Sequence, residues 1–229
     1  MKNLIITVAL VLATMAGQAQ KISYIEETPT EAFIKHMEFC GYKAFTFDIS
    51  SLRDSAQSFD IIIREYVNDS LVNKQTQSRH RLKLMISDLP EDEQQEILSK
   101  KSGEDMERGI CKSVKTITIG FTPAKDSIER INIVTDMACY SGVPLKMKYL
   151  CEYKDRESIY QYRWVAYEEY KEINYKFNAF IPLVLYGSYW WDEKIQNYRY
   201  CGYVDSDGRL THEKKSPHYY VIGIKFHNK

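Results

Sequence analysis

Apolar and polar residues trade places at every second position along much of this chain, which commits it to extended strands with one inward face. Phe45, Phe47 and Ile49 alternate with Ala44, Thr46 and Asp48, and Phe59, Ile61 and Ile63 continue the pattern. Leu82, Leu84 and Ile86 repeat it, as do Ile117, Ile119 and Phe121, and then Ile131 with Ile133. Side chains two apart share a strand face, so each run predicts a half-buried strand. Polar turns separate the runs at Arg53-Asp54-Ser55, Asn68-Asp69-Ser70 and Lys125-Asp126-Ser127.

Two stretches break this rhythm. Thr28 and Glu31 have the spacing of a capping box, Pro29 suits a first helical position, and Gly41 offers a left-handed stop. A helix is predicted over 29–40, with Phe33, Met37 and Cys40 on one face and Cys40 a buried small hydrophobe. Asp88, Pro90 and Glu91 predict a second helix over about 89–101. The expected class is α+β, mostly antiparallel sheet with the two helices packed on it.

The stretch from Lys43 to Ser55 resembles that from Lys115 to Ser127, and each follows a predicted helix. One reading is a tandem helix-plus-strands repeat. The other is that two amphipathic strands ending in polar turns look alike. From Tyr140 onward the composition shifts, with fifteen of the 18 tyrosines and all 3 tryptophans. Strands are predicted over 145–153, 158–170, 174–191, 195–204 and 218–226, and Asp207-Gly208 signals a hairpin. This is an aromatic-rich meander. The implied organisation is 1–19, 20–88, 89–153 and 154–229, or one continuous domain over 20–229.

Residues 1–19 read as a secretory signal peptide. Lys2 leads, Leu4 to Ala16 are almost all apolar, and Gly17 and Ala19 place small residues ahead of a cut before Gln20. The run falls short of the roughly 20 apolar residues that span a bilayer comfortably. The expectation is export to the periplasm or exterior of a Gram-negative cell, with no transmembrane anchor. Basic and acidic residues balance at 31 each, which argues against a nucleic-acid partner. The 5 cysteines allow at most two disulfides, and spacing leaves open the pairing among Cys111, Cys139, Cys151 and Cys201.

Candidate ligand-binding residues are aromatic. Tyr160, Tyr162 and Trp164 share one strand face; Tyr186 and Trp190 share a face of a later strand, with Trp191 opposite. Flat rings with polar tips suit a glycan, a peptide or a protein ligand. Catalytic signatures are missing: there is no His-Glu-x-x-His, no Gly-x-Ser-x-Gly and no phosphate-cradling loop. Glu168, Glu169 and Glu172 are the nearest approach to a carboxylate pair, but adjacent strand residues face opposite ways. Arg79, Arg81 and Lys83 read as one solvated strand face. Asp205-Ser206-Asp207-Gly208 lacks the later ligands of a calcium loop. No metal or cofactor is expected. The leading expectation is an exported, non-enzymatic binding module that uses an aromatic sheet surface. The alternatives are a small envelope hydrolase with carboxylates from distant strands, and a structural envelope subunit acting by self-association.

Overall fold

The computed structural model describes residues 29–52, 56–100, 104–147, 162–166, 177–194, 196–199 and 216–227. The chain falls into two compact units, Met1–His36 and Met37–Lys229, and every described strand belongs to the second. The described residues are mostly antiparallel strand with three helices, an α+β protein.

Helix α1 (Pro29–Phe39) ends where expected. Gly41 takes φ +85°, its N–H reaches Glu38 O at 3.0 Å, and Tyr42 N–H reaches Met37 O at 2.9 Å. That pair of reversed bonds satisfies carbonyls left open by the last turn. The burial expected of Cys40 is overturned. Cys40 is exposed in the turn beyond Phe39, and the helical face assigned to it is exposed too, with Phe33 at 62%. Phe39 is 90% exposed. Helix α2 (Glu91–Lys100) and the single turn α3 (Glu104–Glu107) occupy the second helical region. Three acidic residues in the first turn of α2 suit its positive end.

The strands are β1 (Lys43–Asp48), β2 (Ser58–Val67), β3 (Ser70–Arg81), β4 (Lys83–Met85), β5 (Ile110–Ser113), β6 (Thr116–Lys125) and β7 (Ile128–Thr135). They continue with β8 (Cys139–Lys146), β9 (Tyr162–Ala166), β10 (Ile181–Ser188), β11 (Trp190–Asp192), β12 (Asn197–Arg199) and β13 (His218–His227). A four-stranded sheet runs β1-β6-β7-β8 and a five-stranded sheet runs β3-β2-β13-β10-β9. Two short ribbons, β4-β5 and β11-β12, complete the set. Strands of the stretches 20–88, 89–153 and 154–229 share the two large sheets. The two similar stretches pair with each other: Lys43 stands opposite Phe121 and Phe47 opposite Ile117, antiparallel in one sheet.

The inner faces of the two sheets meet in one core. Phe47, Ile117, Ile119, Phe121, Ile131 and Ile133 come from the first sheet, and Phe59, Ile61, Ile63, Ile222, Ile224 and Phe226 from the second. Asn68 and Asp69, and Asp126 and Ser127, all take positive φ in the two tight hairpins, where the backbone twist of the turn matches that of the strands. Asp136 secures the start of β6 from the turn after β7, accepting Lys115 N–H at 2.6 Å and Thr116 N–H at 2.8 Å. Burial acts to raise its carboxyl, but these N–H bonds prevail and hold it below the usual range. Asp136→Ala is expected to lower stability by about 1 kcal/mol. Urea denaturation checks this, and an unchanged midpoint would mean that water serves those N–H groups equally well.

Candidate functional site

Rows of side chains cross the five-stranded sheet where antiparallel partners stand side by side. Trp164 on β9 lies opposite Tyr186 on β10, Tyr186 opposite Tyr220 on β13, Tyr220 opposite Glu65 on β2, and Glu65 opposite Asn73 on β3. Cross-strand partners point to one face, here the inner one. One rung further along stands Tyr162, opposite Ser188, and His218.

Polar bonds stitch these rows together. His218, with no exposed surface, pairs its Nδ1 with the Tyr162 hydroxyl and its Nε2 with Glu65 Oε1 at 3.1 Å. The Tyr220 hydroxyl donates to Lys146 O at 3.0 Å and accepts from Lys146 N–H at 3.1 Å, which ties β13 to the end of β8. From β7 of the facing sheet comes Glu129, 3% exposed. Trp164 Nε1–H donates to its Oε1 at 2.7 Å, and the Tyr186 hydroxyl is its second partner. Burial pushes the Glu129 carboxyl up to about 7, against the opposing pull of those two hydrogen bonds. Burial and the neighbouring Glu129 raise the Tyr186 phenol far above its ordinary range. Burial likewise raises Tyr220, helped by the charge of Glu65.

The order Glu65–His218–Tyr162 is that of an oriented imidazole beside a hydroxyl. Yet both ring nitrogens are engaged within the chain, and Glu129 is engaged by two donors. The network ties the rings to one another and to the facing sheet.

The rings it holds form a ladder. Phe45 on β1 meets Phe121 at 6.2 Å between centres, Phe121 meets Trp164 at 5.8 Å, and Trp164 stacks on Tyr186 at 6.1 Å. Tyr162 follows at 4.9 Å from Tyr186, and His218 at 5.7 Å from Tyr162. Phe45, Tyr162 and Trp164 are half-buried, and Lys43 Nζ lies 5.5 Å from the centre of the Phe45 ring. Among the described residues β1 and β9 are edge strands, and the contact of Phe121 on β6, beside β1, with Trp164 on β9 brings those two edges to one side of the sandwich, from which the ladder runs inward.

Of the six ring residues expected on an open surface, Tyr162 and Trp164 keep some of their area in solvent. Tyr186 and Trp190 do not, at 1% and 6% exposure, and that expectation is corrected for both. The sheet is covered on both faces: Tyr186 lies under the facing sheet, while Ile62, Tyr66, Val165, Leu185, Tyr219 and Val221 are buried on the other side. Trp190 opens the β11-β12 ribbon instead of prolonging β10. Trp191 stands opposite Tyr198 in that ribbon. Its side chain and the whole of Tyr160 lie outside the described residues, as do Glu168, Glu169, Glu172 and Asp205 to Gly208. Arg79, Arg81 and Lys83 do not share one strand. β3 stops at Arg81, buried Leu82 makes a bend, and Lys83 begins β4, which pairs with β5.

Sequence reasoning missed Glu65 and Glu129, and weighed His218 only as a metal ligand with His212 and His227, although a signal for all three was present. Each extends an inward row by one period-two step: Ile61, Ile63, Glu65; Glu129, Ile131, Ile133; His218, Tyr220, Ile222. Among the described residues no group of three or more His, Cys, Asp or Glu side chains is placed to hold a metal ion. No described helix is long and apolar enough to cross a membrane.

Residues 11–228 match a protein family described as a domain of unknown function (DUF5041). No curated protein and no solved structure matches the chain.

Proposed function

The chain belongs to the DUF5041 family, and we propose that it is an exported, non-enzymatic binding module that grips its ligand along the β1/β9 side of the sandwich. One observation carries this reading: the half-buried rings there are fixed from behind while some of each remains in solvent. Trp164 is held by Glu129, Tyr162 by His218, and Phe45 is braced on Phe121. Rings whose torsions are already set lose little entropy on meeting a ligand, so stacking contributes nearly its full strength. A glycan chain suits such a row, because sugar faces are flat and apolar while their hydroxyls match the rim that Lys43 supplies. The signal-like layout of residues 1–19 supports action outside the cytoplasm.

The test is a glycan array probed with the folded protein, followed by titration calorimetry on the strongest hit. Phe45→Ala removes a half-exposed ring and should weaken that hit about tenfold, the equivalent of one aromatic stack. Circular dichroism should stay unchanged. An array without hits, or a Phe45→Ala protein with undiminished affinity, would refute the assignment.

A further inference from the structure

β9 is the least anchored strand of its sheet. It has five residues, lies at an edge, and among the described residues its backbone pairs with β10 alone. Trp164 ties it to the opposite sheet: its indole N–H ends on Glu129 of β7. The same carboxyl is hydrogen-bonded by Tyr186 of β10. Glu129 is flanked in its own sheet by Leu145, which has no exposed surface. We infer that Glu129, Trp164 and Tyr186 form a proton-operated clasp between the two sheets, which holds β9 shut while the carboxyl is protonated and releases it on ionisation.

The physical reason is the environment of the carboxyl. A neutral carboxylic acid sits in this apolar, ring-lined place at little cost, whereas a carboxylate there lacks water. The two donors favour the anion, but burial outweighs them and moves the titration from 4.5 to about 7. The folded state therefore binds an extra proton between those values. Its stabilising contribution is complete below about 4.5 and disappears as pH rises through about 7.

Other ionisable groups surround Glu129 on the elements packed against it. Tyr186 and Tyr220 are both raised, so they stay neutral. Tyr162 and His218 lie behind Tyr186, with Glu65 beyond them on β2. Arg130, next to Glu129 on β7, turns to the outer face and donates to Gly142 O at 3.1 Å. Lys43 lies over Phe45 on β1, and the Lys146 side chain is exposed at the end of β8. If a ligand engages the β1/β9 side, as the binding reading holds, the clasp sets the pH range of that engagement. The clasp itself can be tested without any ligand.

Hydrogen exchange of the β9 amides, corrected for intrinsic rates, should be followed from pH 5.5 to 8.5. In the wild-type protein the opening of residues 162–166 should rise on the order of tenfold across that range. Glu129→Gln keeps the shape of the neutral acid and should abolish the rise. Trp164→Phe keeps a ring but takes one donor from the anion, so its midpoint should move to higher pH. Constant β9 protection in the wild type, an equal rise in Glu129→Gln, or an unmoved midpoint in Trp164→Phe would each overturn the inference. A working clasp in a protein that captures no glycan would sink the binding reading alone.

Discussion

Gly223→Ala should destabilise the protein by about 3 kcal/mol or more, enough to prevent folding if the native margin is small. Gly223 lies on β13 opposite Pro182, where the register of β10 shifts before Val184. A Cβ at this position would stand 2.2 Å from Ile181 O and 2.7 Å from the Phe180 ring. The first obstacle is backbone, which cannot swing aside as a side-chain tip can. The Phe180 ring is in turn covered by the Arg64 guanidinium, 3.8 Å from its centre. Adding one methyl must therefore push apart a pair of central strands or expel a packed ring. Gly120→Ala is the control. Its Cβ would meet only Asn132 O, at an ordinary 3.8 Å, so the change should stay within about 0.5 kcal/mol. Urea denaturation of both variants decides the matter, and equal midpoints would show that the strands at Gly223 have room to spare.

Tyr186→Ala should lower stability by about 3–5 kcal/mol. The ring is 1% exposed and touches Phe121, Tyr162, Trp164 and Tyr220, so its loss leaves a cavity walled by other rings that cannot collapse into it. Tyr186→Phe separates packing from hydrogen bonding. It keeps the ring and costs about 1–2 kcal/mol through the donor withdrawn from Glu129. That withdrawal also favours the neutral carboxyl, so the pH at which stability falls should move upward from about 7. Denaturation midpoints from pH 5 to 9 measure both effects. An Ala variant no weaker than the Phe variant would contradict the ring's place at the centre of the ladder.

Where one strand face meets the core and the other meets water, alternation was enough to read the fold. β1, β6 and β7 lie close to their expected places for that reason, while β2 and β13 carry buried residues on both faces. β3 left no such trace, since Ser70 to Arg81 run along a sheet edge where apolar burial does not impose alternation. β8 was hidden by Gly142 and Pro144, residues that an edge strand tolerates and a central one rejects. The candidate site was half legible. Tyr162 and Trp164 stood out as rings in alternation. The burial of Tyr186 did not, because a residue pattern cannot say how many layers will cover a sheet. Glu65, Glu129 and His218 were legible only as breaches of an apolar row. Such a breach asks which partner satisfies the buried group, a question that tertiary pairing alone answers.

The position of β13 bears on how this protein comes into being. It fills the slot between β2 and β10, and the Glu65–His218 bond joins residues 153 apart in sequence. Until that late segment arrives, the larger sheet exists as two unjoined halves, each with a raw hydrophobic border. Long-range closure of this kind is slow. The larger sheet is therefore closed only when residues 218–227 take the place between its two halves.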